Sequence, residues 1–236
     1  MKHGGKSRNA KSKEAIRSAY RLTGGNSFYD GMITCTTLSG KAVCRLVWAM
    51  NKAENDDYLE KALSGIPEYF SGRLLEVPVG TGILTMPVYQ TLPEADITCL
   101  DYSPDMMRQA RGKADRLHLK NVTFQQGDLG ALPYADGTFD VVLSLNGFHA
   151  FPDKEAAYWE VLRVLQPGGI FCGCFYVMGE HKRTDWFVRH AYEKAGFFTP
   201  PYETVSSLKA RLDGMCTDVD MGNLKSMAWF VCRKAG

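Results

Sequence analysis

No stretch of the 236 residues approaches the roughly 20 consecutive apolar side chains that cross a bilayer, which argues against an integral membrane protein. The basic N-terminus is followed by no continuous apolar run and small-residue cleavage site, which argues against a secretory leader. The seven cysteines (35, 44, 99, 172, 174, 216 and 232) form no CxxC pair and no metal-ligand spacing with the five histidines. No metal is therefore expected, and all seven read as buried, reduced thiols of a cytoplasmic protein. Cys172 and Cys174 stand two apart in an apolar run, so a strand would place them on one face. Net charge is scarce too. Against 28 Lys and Arg stand 26 Asp and Glu, a balance of +2, which lacks the concentrated positive charge of a phosphate-backbone binder. The charge is unevenly placed, with +6 on residues 1–21 and −4 on the rest.

What is present is ordinary for a globular chain with a sizeable core: 45% hydrophobic and 23% charged residues. Residues 1–15 are polar, basic and poor in apolar side chains, the composition of a disordered segment. Apolar residues recur at helical spacing from Leu38 to Met50, and a second helix is predicted over Glu54–Leu63. After Gly72 the texture becomes alternating strands and helices. Strands are predicted at Arg73–Val79, Asp96–Leu100, Asn121–Gln126, Phe139–Leu145 and Ile170–Val177. Helices are predicted at Ile83–Leu92, after the Ser103 cap and Pro104, and at Asp153–Leu165, where Pro167-Gly168-Gly169 should stop the chain. A helix over Lys182–Ala195, a loop over Phe197–Thr204 and a short helix over Ser207–Leu212 precede two closing strands, Met215–Leu224 and Met227–Arg233. Such alternation implies a largely parallel sheet covered on both faces.

Ligands of an open parallel sheet bind beyond the C-terminal ends of its strands. The glycines and polar residues of this chain collect there. Gly80-Thr81-Gly82 follows the first strand, Asp101 ends the second where it can accept from ribose hydroxyls, and Gly127-Asp128-Leu129 follows the third, a carboxylate beside an apolar residue that suits an exocyclic amine and the face of a purine. Asn146-Gly147-Phe148-His149 follows the fourth. A dinucleotide fingerprint needs a third glycine where this chain has Thr85, so a single nucleoside without phosphate fits better.

On these residues the chain resembles a class I S-adenosylmethionine-dependent methyltransferase, most like the group of the ubiquinone/menaquinone-biosynthesis C-methyltransferases. The resemblance covers residues 72–178 and four segments in order: 75–82, 100–106, 127–142 and 162–169. It implies a Rossmann-like α/β fold with a seven-stranded, mostly parallel sheet, helices on both faces, an antiparallel C-terminal hairpin and an N-terminal helical cap. It divides the chain into a basic extension (1–21), a helical cap or lid (22–70) and the cofactor-binding domain (71–236), with 179–204 as an acceptor-site lid. The cofactor it implies is S-adenosyl-L-methionine, leaving as S-adenosyl-L-homocysteine. The residues carried over to its site are Tyr29, Glu76, Pro78, Gly80, Thr81, Gly82, Asp101, Tyr102, Ser103, Met106, Gly127, Asp128, Leu129, Asn146 and Gly147. One position departs from the pattern: the family usually has glycine where Pro78 stands, and proline has no N–H to donate.

Methyl transfer from a sulfonium needs positioning more than a dedicated dyad. His149 is the candidate general base, since imidazole titrates near neutrality, and a cap or a steric contact is its bland alternative. Phe148, Phe151, Trp186 and Tyr202 are aromatics that an acceptor pocket could use, but core packing explains them as well. Thr199-Pro200-Pro201-Tyr202 lacks the Asn or Asp of an amino-methylating signature and follows the wrong element. The expected acceptor is a small molecule, aromatic or quinone-like, methylated on carbon or oxygen, with no stable nucleic-acid partner and a homodimer compatible with the sequence. The competing readings are an RNA or protein methyltransferase recruited by the basic extension and a non-catalytic nucleoside-binding relative.

Overall fold

A computed structural model describes residues 27–236, so the predicted basic extension lies outside the described residues. Seven strands form one sheet in the order β3-β2-β1-β4-β5-β7-β6. They are β1 (Arg73–Glu76), β2 (Asp96–Asp101), β3 (Val122–Gln126), β4 (Phe139–Leu145), β5 (Leu165–Tyr176), β6 (Cys216–Leu224) and β7 (Met227–Lys234). β1 to β5 pair in parallel, and β7 runs antiparallel to both β5 and β6. Chain order reverses between β1 and β4, which places the switch point beside the ends of those two strands.

Among the described residues three helices precede the sheet: α1 (Ser27–Ile33), α2 (Leu38–Leu46) and α3 (Lys52–Leu63). Helices α4 (Met86–Tyr89), α5 (Pro104–Arg116), α6 (Lys154–Val164), α7 (Lys182–Phe187), α8 (Glu193–Ala195) and α9 (Val205–Met215) follow in turn. Successive strand residues face opposite sides, so Leu74 and Cys99 join one core with α3, α4 and α5, while Leu75 and Leu100 join the other with α6 and α9. Cys172 and Cys174 share the first of these cores, as their spacing predicts.

Local chemistry sets most boundaries. The Ser103 hydroxyl accepts from the Met106 N–H with Pro104 in the first turn of α5, and the Asp153 carboxylate accepts from the Ala156 N–H to start α6. Asn51 and Glu54 close a capping box that starts α3 two residues before the predicted Glu54. Tertiary demands move other boundaries. β1 ends at Glu76, and the helix predicted over Ile83–Leu92 shrinks to α4, because Val77–Thr85 is used for a turn. α6 passes directly into β5. The Pro167-Gly168-Gly169 break is absorbed inside the strand, where the β4–β5 register slips between Phe139 and Val141. The Lys182–Ala195 prediction appears as α7, a π-helical turn (Val188–Tyr192) and α8, stopped by Gly196 at φ +83°.

The cysteine expectation needs correction. Cys35 and Cys44 form a disulfide that ties the chain just beyond α1 to α2, and the other five cysteines are free and buried. The spacing of nine carries no signature. The pair meets because α1 packs on α2, where Gly40 is so close to the Gly31 carbonyl that a Cβ would lie 2.0 Å from its oxygen. With two cysteines paired, the thiol argument for a reducing compartment falls away.

Candidate functional site

All fifteen residues carried over to the cofactor site line one cleft beyond the ends of β1, β2 and β4. The cleft encloses about 1000 Å³ of space, part of it open to solvent. Its floor is the turn after β1, where Gly80 and Gly82 adopt φ +55° and +68°, a left-handed backbone that favours glycine. A Cβ on Gly80 would meet no atom within 4 Å, so the cleft side of that turn is open to a ligand. Pro78 costs the turn no hydrogen bond. Val77 N–H donates to the Leu143 carbonyl at 2.9 Å and Val79 N–H to the Leu100 carbonyl at 3.0 Å, so the backbone is held on both sides of the proline. Instead Pro78 is a packing element: a Cβ on Gly147 would lie 2.2 Å from its Cδ. The departure at Pro78 and the glycine at 147 are one feature.

Among the described residues, three carboxylates and no Lys or Arg line this cleft. Asp101, 6% exposed, accepts from the Gly80 N–H and the Ser103 N–H, both at 2.8 Å, so it joins the first turn to the start of α5. Burial pushes its carboxyl up to about 6, against the pull of those N–H donors. Asp128 accepts from the Gly130 N–H at 3.0 Å, which fixes the turn after β3. Leu129 and Met106 are buried nearby at 1% exposure each, and supply apolar walls. Gly127 is required by close approach, since a Cβ there would stand 2.7 Å from Leu100 Cδ1.

Glu76 differs from its neighbours. It is 2% exposed, and one carboxyl oxygen accepts from Tyr89 OH at 2.8 Å and Thr85 Oγ1 at 3.0 Å. Burial raises its pKa from 4.5 to about 8, the three hydroxyl and thiol donors opposing. The native state therefore keeps a proton that the unfolded chain releases above pH 4.5. Its contribution to stability is complete below that pH and declines as pH rises towards about 8. Glu76→Gln keeps an amide oxygen for Tyr89 and Thr85 and removes the titration. The unfolding free energy of the wild type should fall by roughly 4–5 kcal/mol between the two ends of that range, and that of the variant should not. Equal slopes for both proteins would refute the assignment.

Helix α1 forms the wall opposite. Asp30 accepts from Thr81 Oγ1 at 2.6 Å and pairs with Lys113 Nζ at 2.9 Å, while Lys113 also donates to the Thr81 carbonyl at 3.0 Å. Tyr29, the preceding residue, lines this cleft and a second one behind it, as do Ile33 and Asn146. Among the described residues the second cleft is lined by Trp48, Tyr58, Tyr192, Phe197, Phe198 and His149 together with Asn55, Asn146 and aliphatic side chains, and by no charged residue. Trp48 packs at 5.9 Å from Tyr192 and 6.1 Å from Phe198, ring centre to ring centre.

His149 belongs to this second cleft and not to the first. Its ring stacks on Phe198 at 3.9 Å, and its Nδ1 accepts from the Tyr176 N–H at 3.5 Å. Burial, with Lys154 nearby, lowers its pKa to about 3. The ring is thus held neutral, with Nδ1 engaged by the Tyr176 N–H and the proton on Nε2. Lys154 is itself buried, its amine lowered to about 8 by burial, and it donates to the Phe151 and Thr199 carbonyls.

The other aromatics divide. Phe151 lines the first cleft, Phe148 is core against Phe171 and Phe175, Trp186 is 55% exposed, and Tyr202 packs on Tyr176 and Phe198. The Thr199–Tyr202 segment lines neither cleft. Sequence reasoning missed Asp30 with its partner Lys113, the hydroxyls around Glu76, and the Trp48–Tyr192–Phe198 wall. Asp30 alone had a signal, its place beside Tyr29. Among the described residues no cluster of His, Cys, Asp and Glu could hold a metal ion.

Residues 74–169 match the methyltransferase domain family. The demethylmenaquinone methyltransferase of Thermus thermophilus is 41% identical over 97 residues, which are 41% of this chain and 44% of that protein. The chloroplastic 2-methyl-6-phytyl-1,4-hydroquinone methyltransferase 2 of rice (Oryza sativa subsp. japonica) is 34% identical over 136 residues, 57% of this chain and 36% of that one. The chain thus spans less than half the length of these curated relatives. Among solved structures, phosphoethanolamine N-methyltransferase 2 of Haemonchus contortus superposes with a TM-score of 0.65 at 14% identity, over 89% of this chain and 60% of that one. That likeness speaks for the fold alone. With the strand order and the first cleft, the match makes residues 74–169 similar to class I S-adenosylmethionine-dependent methyltransferases of the ubiquinone/menaquinone type.

Proposed function

We propose that this protein transfers a methyl group from S-adenosyl-L-methionine to a carbon or oxygen nucleophile of a small, largely apolar, aromatic or quinone-like acceptor. The observation that supports this best is the pairing of the two clefts. Among the described residues the first is lined by Glu76, Asp101 and Asp128 and by no cation, and the second, uncharged and aromatic, shares its Tyr29–Ile33–Asn146 wall. A phosphate-bearing dinucleotide would favour a cationic side chain, which the described lining of the first cleft lacks, whereas a cationic nucleoside with ribose hydroxyls meets the Asp101 and Asp128 carboxylates as acceptors.

In this reading Asp101 holds the ribose hydroxyls, Asp128 an exocyclic amine, Met106 and Leu129 the faces of the base, and the Gly80–Gly82 backbone the remainder. When bound, the cofactor supplies a methyl group already activated on a sulfonium. The chain's own residues bind, orient and exclude water. Helix α1, fastened through Asp30, covers the first cleft, and Tyr29 reaches both. Neutral His149 offers its Nε2–H to an acceptor oxygen, which lowers the pKa of a phenol or enol so that its proton leaves to bulk solvent before the methyl group is transferred. Segments 27–70 and 179–204 supply the acceptor pocket, since Trp48, Tyr58, Tyr192 and Phe198 come from them.

The test has two stages. Calorimetry with S-adenosyl-L-homocysteine should show one site with micromolar or tighter affinity, and no binding by the intact chain would sink the cofactor assignment. A metabolite extract supplied with isotope-labelled methyl donor should then yield a labelled neutral aromatic product identified by mass. Label found only in RNA or protein would overturn the acceptor class, and binding without any turnover would favour the non-catalytic reading.

A further inference from the structure

We propose that the outer face of α2 and α7 docks on an anionic phospholipid bilayer and brings the mouth of the uncharged cleft to the lipid. Three large apolar side chains stand out in solvent here: Leu38 at 88% exposure, Leu46 at 59% and Trp186 at 55%. They are part of one surface. On α2, positions 38, 41, 42 and 45 follow helical spacing on the side away from buried Gly40 and Cys44, and Leu46 adjoins them. Arg183 of α7 donates from Nη2 to the Arg45 carbonyl at 2.9 Å, which joins the two helices, and Trp186 lies one turn further along α7.

The charge on this face has one sign. Lys41 and Arg45 on α2, Lys182 and Arg183 on α7 and Arg189 on the following turn are all exposed. α2 contains no acidic residue, and Asp185 of α7 is turned inward to accept from Tyr176 OH at 2.7 Å and the Gly179 N–H at 3.1 Å. In the sequence, residues 1–21 carry a further +6. Leucines and a tryptophan ringed by cations match the headgroup–acyl boundary, where indole and leucine side chains bury and Lys and Arg meet phosphates. A nucleic-acid backbone would use the cations and leave the leucines in water.

The same elements that form the surface form the cleft behind it. Val43 and Cys44 of α2, Trp48 just after it and Tyr192 of the turn after α7 line the uncharged cleft. An acceptor too apolar to travel through water could therefore pass from a bilayer into the cleft under the docked face. The inference deepens the acceptor class proposed above, and its test is separable from that reading.

The full chain should float with phosphatidylcholine vesicles that contain phosphatidylglycerol, and its partition should fall about tenfold or more on pure phosphatidylcholine or at high salt. Leu38→Ser/Leu46→Ser/Trp186→Ser keeps every charge, and should lower the partition on anionic vesicles about tenfold or more while S-adenosyl-L-homocysteine affinity stays unchanged. In the wild type, Trp fluorescence should shift to the blue on those vesicles. No flotation with anionic vesicles would overturn the proposal. Equal flotation of the triple variant would do so too, since binding would then not use the apolar side chains of this face. A stronger preference for a single-stranded polyribonucleotide than for vesicles would replace the bilayer with RNA. Loss of S-adenosyl-L-homocysteine binding by the wild type refutes the cofactor reading and leaves the vesicle result intact.

Discussion

Asp101→Ala should weaken S-adenosyl-L-homocysteine binding about a hundredfold or more, the largest effect expected of any single side chain in the first cleft. The carboxylate does two jobs at once. It receives the Gly80 N–H and the Ser103 N–H, both at 2.8 Å, which sets the turn after β1 against the start of α5. In the proposed complex it also receives ribose hydroxyls. Hydrogen bonds to a charged acceptor are each worth about 1.5–3 kcal/mol, and the alanine leaves two backbone donors without their partner. A hundredfold loss corresponds to about 2.7 kcal/mol, within reach of one such bond to the ligand plus a loosened turn. Asp101→Asn should fall between, because its amide keeps one acceptor oxygen and turns a donor towards another donor. Affinity should also weaken as pH falls through about 6, the value to which burial raises this carboxyl, since the protonated form is the poorer acceptor. Calorimetry across pH checks all three, and an alanine variant with wild-type affinity would remove Asp101 from the site.

Gly147→Ala should be the most damaging addition of a single methyl group near the cleft. The backbone at 147 has φ −105°, which alanine accepts, so the effect is purely steric. The new Cβ would lie 2.2 Å from Pro78 Cδ and 2.8 Å from its Cγ, atoms of a rigid ring flanked by two anchored residues. Either the ring or the end of β4 must move. Overpacking of this kind costs about 1–3 kcal/mol, which for a chain of this size lowers the melting temperature by roughly 3–10 °C. Because Pro78 and Asn146 flank the clash and both line the first cleft, cofactor affinity should drop with stability. The double variant Pro78→Gly/Gly147→Ala removes the ring and should recover most of both losses, a coupling of about 1–3 kcal/mol in a double-mutant cycle. Additive losses would show that residue 78 and residue 147 do not share one space.

That coupling also explains what the sequence could and could not say about Pro78. As a departure from a glycine, it reads as a lost N–H donor. The fold shows that the neighbouring N–H groups of Val77 and Val79 carry the backbone and that the proline fills the space opened by Gly147, a residue 69 positions away. The boundaries behave in the same way. Ser103, Asp153 and Asn51 fix helix starts from within a few residues, whereas the shrinking of the helix after Gly82 and the placing of Pro167 inside β5 follow from how the sheet is paired.

By itself the sequence determined the seven-stranded architecture, the residues that meet at the strand ends, and hence the first cleft. Each of those depends on local periodicity, caps and turns, and a parallel sheet delivers successive strand ends to one edge. Only the tertiary structure decided the rest. The Cys35–Cys44 disulfide, the hold of Asp30 on Thr81 and Lys113, and the aromatic wall of Trp48, Tyr192 and Phe198 join segments whose spacing carries no pattern. The charge state of His149 was the least legible, because that of an imidazole follows from what surrounds it. Desolvation and the nearby Lys154 hold it neutral, and neither is written in the residues beside it.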